Sequence, residues 1–141
     1  MRLIIQRVNR ATVDIGGKID KGLFVLVGIK RGDTTKQAEL LANKLVKMRI
    51  MSDENDKMNL SVVDAKAKIL AVSQFTLYAN TKDGNRPSFM DAELPEKAKV
   101  IYEFFVEKLR ELGVATEIGS FGNYMKIEAE LDGPVTIVLE N

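Results

Sequence analysis

The sequence predicts an α/β fold in which helices cover one side of packed sheets. Three observations carry that reading. Apolar segments of strand length recur from one end of the chain to the other. Only two stretches place apolar residues at helical spacing. Each of those stretches is flanked by strand-like segments, so the helices must pack onto sheet rather than onto a bundle. A chain of 141 residues, 45% hydrophobic, suits one domain over 1–141.

The elements follow in order. Residues 2–8, Arg2-Leu3-Ile4-Ile5-Gln6-Arg7-Val8, are rich in branched apolar side chains and predict a strand. Residues 11–15 alternate before the Gly16-Gly17 turn. Residues 23–29 are continuously apolar, the pattern of a central strand buried on both faces. Thr34 and Gln37 have capping-box spacing. Ala38, Leu41, Ala42, Leu45 and Met48 then repeat at helical intervals, predicting a helix over 34–50. Residues 68–72 predict a core strand. Pro95 suits the first turn of a second helix. That helix has an apolar stripe of Ala98, Ile101, Phe105, Leu109 and Leu112, and Gly113 is its cap. Short strands are expected at 114–118, 125–131 and 135–139. In the second of these, Ile127, Ala129 and Leu131 face inward, and Lys126, Glu128 and Glu130 face water.

Composition excludes whole classes of chemistry. With no Cys and no His, there is no thiol nucleophile, no imidazole base and no Ser-His-Asp triad. Zinc sites of the usual kind are excluded too. A net charge of +1 gives no broad electrostatic grip on nucleic acid, so any RNA would be held by a local patch or a short end. The N-terminal run has an Arg within it and no small-residue cleavage site, so a cytoplasmic protein without a membrane span is expected. The stretch "SDENDKMNLS" imitates a calcium loop. It fails because Lys57 takes the fifth position and Met58 the position of the sharp turn. No metal and no cofactor are expected.

Three stretches have two readings each. In "SQFTLYANTKDGNRPSF", Ser73, Gln74 and Thr76 end a core strand with hydrogen-bonding groups. As a continuing strand, Ser73, Phe75 and Leu77 share one face and Gln74 and Thr76 the other. An edge strand with one solvated face is the bland reading; delivery of polar groups to a site is the sharper one. In the loop that follows, Arg86 beside Ser88 either holds a phosphate or braces the loop. In "GSFGNYM", glycines flank Phe121 either because a loop enters a strand or because a pocket wall, with Phe121 and Met125, must approach a ligand. "LDGPVT" signals a hairpin turn between alternating segments. Its sharper reading is a rigid array of carbonyls, since Gly133 has no side chain and Pro134 locks its φ. On that reading a Cβ at Gly133 narrows a ligand site with little effect on folding.

Taken together, these stretches resemble the bacterial-type D-aminoacyl-tRNA deacylases, first described as D-tyrosyl-tRNA deacylases. "MRLIIQRV" is similar to the family's opening strand and "DKMNLSV" to its middle loop. "VSQFTLYA" with "GNRPSF" is similar to one signature, and "SFGNYM" with "DGPVT" to the other. The similarity runs through the whole chain in order. Two features depart from the pattern: Leu131 stands where the family usually has Asn, and the opening hairpin over 11–23 is shorter than usual.

The resemblance implies a homodimer with a three-layer β/β/α arrangement of two sheets and helices. It implies hydrolysis of the ester joining a D-amino acid to the 3′-terminal ribose of tRNA, a chiral proofreading step in translation, with glycyl-tRNA as a further substrate. It also implies that Gly133-Pro134 is cis and enters the partner's pocket, with Arg7 and Gln74 supporting it. The partners are then the tRNA 3′ end and a second copy of the chain, without DNA or membrane.

Mechanism can be reasoned from the residues. Thr76 has no base to activate it, so a covalent Thr intermediate is the less favoured route. Backbone N–H groups near Phe75 and Thr76 would hold the oxyanion. The ribose 2′-hydroxyl, absent from DNA, would carry the proton. Two other classes stay open: a non-catalytic module binding RNA ends, and a small-molecule hydrolase or deaminase with pockets at subunit interfaces.

Overall fold

The computed structural model describes residues 1–141. Strand β1 (Arg2–Val13) is followed by β2 (Lys18–Ile19) and β3 (Gly22–Gly28). Helix α1 (Thr35–Lys47), the ribbon strands β4 (Met51–Ser52) and β5 (Met58–Leu60), and β6 (Lys68–Ser73) come next. A 3-10 turn over Phe75–Tyr78, helix α2 (Pro95–Glu111), β7 (Thr116–Ile118) and β8 (Ile127–Glu140) complete the chain.

One six-stranded sheet runs β2-β1-β3-β6-β7, with β8 pairing β1; β4 and β5 form a separate two-stranded ribbon. β3 is flanked by β1, antiparallel, and by β6, parallel. This central placement explains its unbroken apolar sequence. The α1 and α2 segments each bridge a parallel pair, β3 to β6 and β6 to β7.

The core has two parts, on opposite faces of β3 and β6. Leu23, Val25, Val27, Ile69 and Ala71 face one way, with Leu41 and Leu45 of α1 and Ile101, Phe105 and Leu109 of α2. Phe24, Leu70 and Val72 face the other way, against Val8, Ala11 and Val13 of β1 and Ile19 of β2. Both helices therefore lie on one side, as expected. The second layer is the far half of β1, which curls over the sheet to which it is hydrogen-bonded. The larger core holds the fully buried Phe105; truncating a core Phe to Ala costs about 3–5 kcal/mol.

Helix ends follow the sequence signals. Thr34 and Gln37 form the reciprocal capping box, and Pro95 stands in the first turn of α2. Gly113, at φ 87°, ends α2 in a left-handed conformation. Helix α1 stops at Lys47 rather than residue 50, where Met48 turns extended. The acidic loop folds as an ordinary turn in which Asp53 Oδ1 accepts from the N–H of Asn55 and Lys57 at 2.8 and 3.0 Å. Those bonds hold its carboxyl below the usual range.

The end of the chain departs from expectation. Asp132-Gly133-Pro134 is no hairpin: 127–140 is a single strand paired along β1. Gln6 pairs with Thr136 and Val8 with Leu131, so two steps along β1 match five along β8. The three extra residues bulge outward and contain the Gly-Pro pair. Nor do Ile127, Ala129 and Leu131 face a core; all three are exposed, as are Lys126, Glu128 and Glu130. Strand β8 is an edge strand: Ile137 and Leu139 pack against the larger core, while Ile127, Leu131 and Val138 are left exposed.

Candidate active site

The end of β6 builds the site. Gln74 N–H makes the last bond to β3, donating to Val27 O at 2.8 Å. The chain then leaves the sheet as the 3-10 turn 75–78. Gly28 permits this close approach, since a Cβ there would lie 2.9 Å from Leu77 Cβ. Arg2 ties the turn down, donating from Nη1 to Leu77 O at 2.6 Å, with its guanidinium carbon 5.0 Å from the centroid of the Tyr78 ring. Burial and the nearby Asp33 and Glu140 push the Tyr78 phenol up to about 12, so it stays neutral.

The turn overrides strand alternation. Ser73, Gln74 and Phe75, three consecutive residues, all line one cavity of about 790 Å³. That volume lies in the range of small-molecule sites. Phe121 and Met125 form another part of its wall, with Gly122, Asn123 and Tyr124 between them. Phe121 leans on Tyr102 with ring centroids 5.7 Å apart. Met125 fixes the return of the 119–125 loop, accepting from Ser120 N–H at 3.2 Å.

Several lining residues went unmarked at the sequence level. Phe89 packs edge-on against Phe75 with centroids 5.1 Å apart. Arg31, Glu93 and Leu94 also line the cavity. The Phe at the end of "GNRPSF" was a readable signal for the first. The others come from the close pairing of residues 30–31 with 91–92, a long-range contact without local pattern. Of the two readings of Arg86, bracing the loop fails: it makes no bond there, and the loop closes through Asn80 and Ser88 at 2.7 and 2.9 Å.

The polar groups define what the site can do. Gln74 Nε2 donates to Thr76 Oγ1, leaving the threonine O–H free to donate outward. The backbone N–H groups of Phe75 and Thr76 have no acceptor in the chain, as expected for the start of a helical turn. Glu93 is the one acid on the cavity wall. Lys97 Nζ at 2.8 Å and the N–H groups of Gly32 and Leu94, each at 3.0 Å, hold it at about 2. It is a carboxylate at neutral pH with its hydrogen-bonding capacity committed, so it is a poor general base.

Thr76, Gly133, Pro134 and Arg7 lie outside this cavity, Thr76 on the exposed turn that follows Phe75. The Gly133-Pro134 bond is cis, and both residues are exposed on the bulge of β8. Arg7 does not donate to a Gly-Pro carbonyl. Its Nη1 donates to Ile50 O at 3.1 Å, and its Nε lies 2.9 Å from Asp132 Oδ2. The Nε–H is not aligned for a hydrogen bond, so that contact is an ion pair. Gln74 touches Thr76 rather than the Gly-Pro pair of its own chain.

A model of the D-Tyr-tRNA(Tyr) deacylase family matches residues 4–140. The chain is similar to the D-aminoacyl-tRNA deacylase of Thermosipho melanesiensis, 52% identical over 100% of this chain and 97% of that one. That of Aquifex aeolicus is 48% identical over 100% and 98%. Among solved structures, a c-Myc DNA unwinding element binding protein superposes with a TM-score of 0.94 at 40% identity, covering 100% and 99%. A probable eukaryotic D-amino acid tRNA deacylase shares the fold, with a TM-score of 0.84 at 16% identity over 99% and 98%.

Proposed function

The chain belongs to the D-Tyr-tRNA(Tyr) deacylase family, and on that premise we propose that it is a hydrolase of D-aminoacyl-tRNA. Water cleaves the ester between the D-amino acid and the 3′-terminal ribose, releasing free amino acid and tRNA. Glycyl-tRNA is cleaved as well, because glycine lacks the side chain that separates the enantiomers. The observation that carries this reading is the mainly apolar cavity at the start of the 3-10 turn, where Phe75 lines the wall with an unpaired N–H, the unpaired N–H and the hydroxyl of Thr76 follow on the exposed turn, and the one acid, Glu93, is already committed.

The N–H groups of Phe75 and Thr76 hold the developing oxyanion. One well-placed donor contributes about 2.7–4 kcal/mol when water is excluded. Thr76 O–H donates to the substrate and is not the nucleophile, since no base lies beside it. The ribose 2′-hydroxyl passes the proton to the departing 3′-oxygen. A DNA end, lacking that hydroxyl, is not turned over.

Phe75 is 55% exposed in the single chain, so the site needs a cover to be dry. The proposed cover is a second copy. Edge strand β8 presents Ile127, Leu131 and Val138 to solvent, and on this reading its Gly133-Pro134 bulge enters the partner's cavity. There the main-chain carbonyls of the pair meet the side chain of an L-residue and reject it. A D-residue points elsewhere, so many D-amino acids are accepted. The homodimer acts in the cytoplasm; no helix of the chain is long and apolar enough to cross a membrane.

The test is deacylation of matched D- and L-aminoacyl-tRNA. Turnover of the D-form with the L-form spared is expected. Binding without turnover would indicate an RNA-end module instead. Equal activity on free amino-acid esters would indicate a small-molecule hydrolase.

A further inference from the structure

Seven arginines occupy the sequence, and five are engaged within the chain. Arg2, Arg7, Arg10 and Arg110 pair with carboxylates, and Arg49 bonds Asn59. The guanidinium groups of Arg31 and Arg86 make no ion pair or hydrogen bond in the chain. Of these two, only Arg31 lines the cavity. A free surface arginine is ordinary; one on the rim of an apolar cavity is a binding group in search of an anion.

The backbone around Arg31 is fixed. Its N–H donates to Asp91 O at 2.8 Å, and Lys30 bridges Ala92. Gly32 N–H donates to Glu93 Oε2 at 3.0 Å. Lys30 N–H donates to Asp33 Oδ2 at 2.6 Å, and Asp33 N–H returns to Lys30 O at 3.0 Å. The turn is tied on both sides while the side chain is left free. Glu93, the other charged group on the wall, is taken by Lys97 and two backbone donors, which leaves the cavity with one uncompensated positive charge.

We propose that Arg31 binds the phosphate of the terminal nucleotide, the phosphodiester that joins it to the penultimate one. This deepens the deacylase reading and rests on it. A free amino-acid ester is cationic through its ammonium group, and Arg31 repels it. An aminoacyl nucleotide carries one anion a single ribose away from the ester. Arg31 therefore selects an RNA end over a free ester, a task no other group on the cavity wall is free to perform. The surface as a whole, at net charge +1, does not do it.

The test is a two-by-two comparison. One axis is Arg31 against Arg31→Ala; the other is a native against a neutral methylphosphonate linkage before the terminal nucleotide. Removing either partner should raise KM for D-aminoacyl-tRNA about tenfold, the equivalent of roughly 1.4 kcal/mol, with kcat unchanged. Removing both should cost no more than removing one. Arg31→Lys should recover part of the loss. The slope of log KM against log salt should fall by about 0.7 in Arg31→Ala, as for one lost contact to a single strand. Arg86→Ala, with the same change in net charge, should not couple to that linkage. Additive losses, an unchanged KM, or equal coupling at Arg86 would overturn the proposal. The same cycle is read as Kd with a short oligonucleotide ending in CCA and carrying D-alanine through a non-hydrolysable 3′-amide. That arm reports on Arg31 even if the wild-type chain fails to hydrolyse the ester, an outcome that would sink the deacylase reading alone.

Discussion

Arg7 on β1 and Asp132 on β8 meet at 2.9 Å at the root of the bulge that carries Gly133-Pro134. The arginine side chain is only 9% exposed and the aspartate 30%. Arg7 Nη1 also reaches Ile50 O, joining the bulge to the segment after α1. Breaking a fully buried pair costs about 3–5 kcal/mol. With one partner partly solvated, Asp132→Asn should cost less, about 2 kcal/mol. Arg7→Lys keeps the charge but not the second contact, so it should not restore stability fully. Denaturant midpoints of the three chains check this. A wild-type midpoint in Asp132→Asn would show that the pair does not hold the bulge.

Gly133 should be intolerant of any side chain, and the cost falls on folding as well as on the ligand. Its φ is 126°, and a Cβ would lie 2.9 Å from Val135 N and 3.0 Å from Val135 Cγ2. This corrects the expectation of a purely local effect on the pocket. Gly133→Ala should lower stability by about 1–3 kcal/mol. Chemical denaturation measures it, and a change below about 0.5 kcal/mol would count against the strain.

Glu93 makes stability depend on acid in a defined window. Its folded value of about 2 lies below the ordinary 4.5. The stabilisation is therefore fully present above 4.5 and is lost as pH falls through 2. Glu93→Gln should lower Tm at neutral pH by about 4 °C, roughly 1 kcal/mol for a chain of this size. The gap between the two proteins should close toward pH 2. A gap constant with pH would mean that the carboxylate charge contributes nothing. In turnover, no limb centred near the ordinary imidazole value of about 6.5 should appear, because the chain has no His.

Thr76→Ala should keep measurable turnover. Removing a true nucleophile costs about six orders of magnitude, whereas losing one donor at an oxyanion costs about two to three. The rate of the variant, with a search by mass spectrometry for an acyl-enzyme, separates the two. An ester trapped on Thr76 would overturn the substrate-assisted route. tRNA ending in 2′-deoxyadenosine should bind and react poorly.

Local signals were legible where local physics decided the outcome. The Thr34–Gln37 box, Pro95 and the unbroken apolar run of β3 each identified their element. Asp132-Gly133-Pro134 misled because turn-forming residues also suit a bulge, and only pairing with β1 distinguishes them. Alternation in 125–131 implied an inward face for Ile127, Ala129 and Leu131, but the chain leaves both faces exposed. Local alternation identifies a strand without telling what, if anything, covers it. At the site, Ser73, Gln74, Phe75, Phe121 and Met125 share one cavity. Arg31 and Glu93 escaped notice because a contact between residues 60 apart brings them there.

The last prediction concerns which chain supplies the Gly-Pro pair to each site. In the single chain, Gly133 and Pro134 lie on edge strand β8 and outside the cavity that holds Phe75 and Phe121. The exposed Ile127, Leu131 and Val138 give that edge an apolar surface suited to a second copy. A C2 pairing would exchange the bulges reciprocally. Val138→Asp, a substitution on that exposed surface, should give monomers by sedimentation and lose chiral discrimination together. Subunit mixing then tests the exchange. One chain carries Pro134→Ala and the other carries Gly119→Leu, whose side chain would collide with Met125, 2.8 Å from a Cβ at that position. Each homodimer has two defective sites. If the pair acts across the interface, each heterodimer has one site with an intact cavity and an intact bulge from the partner. Random mixing in equal amounts should then restore about a quarter of wild-type discriminating sites. If the pair acts within its own chain, that same heterodimer joins an open cavity to a defective bulge and a blocked cavity to an intact one. No discriminating site would appear, and the trans arrangement would be wrong.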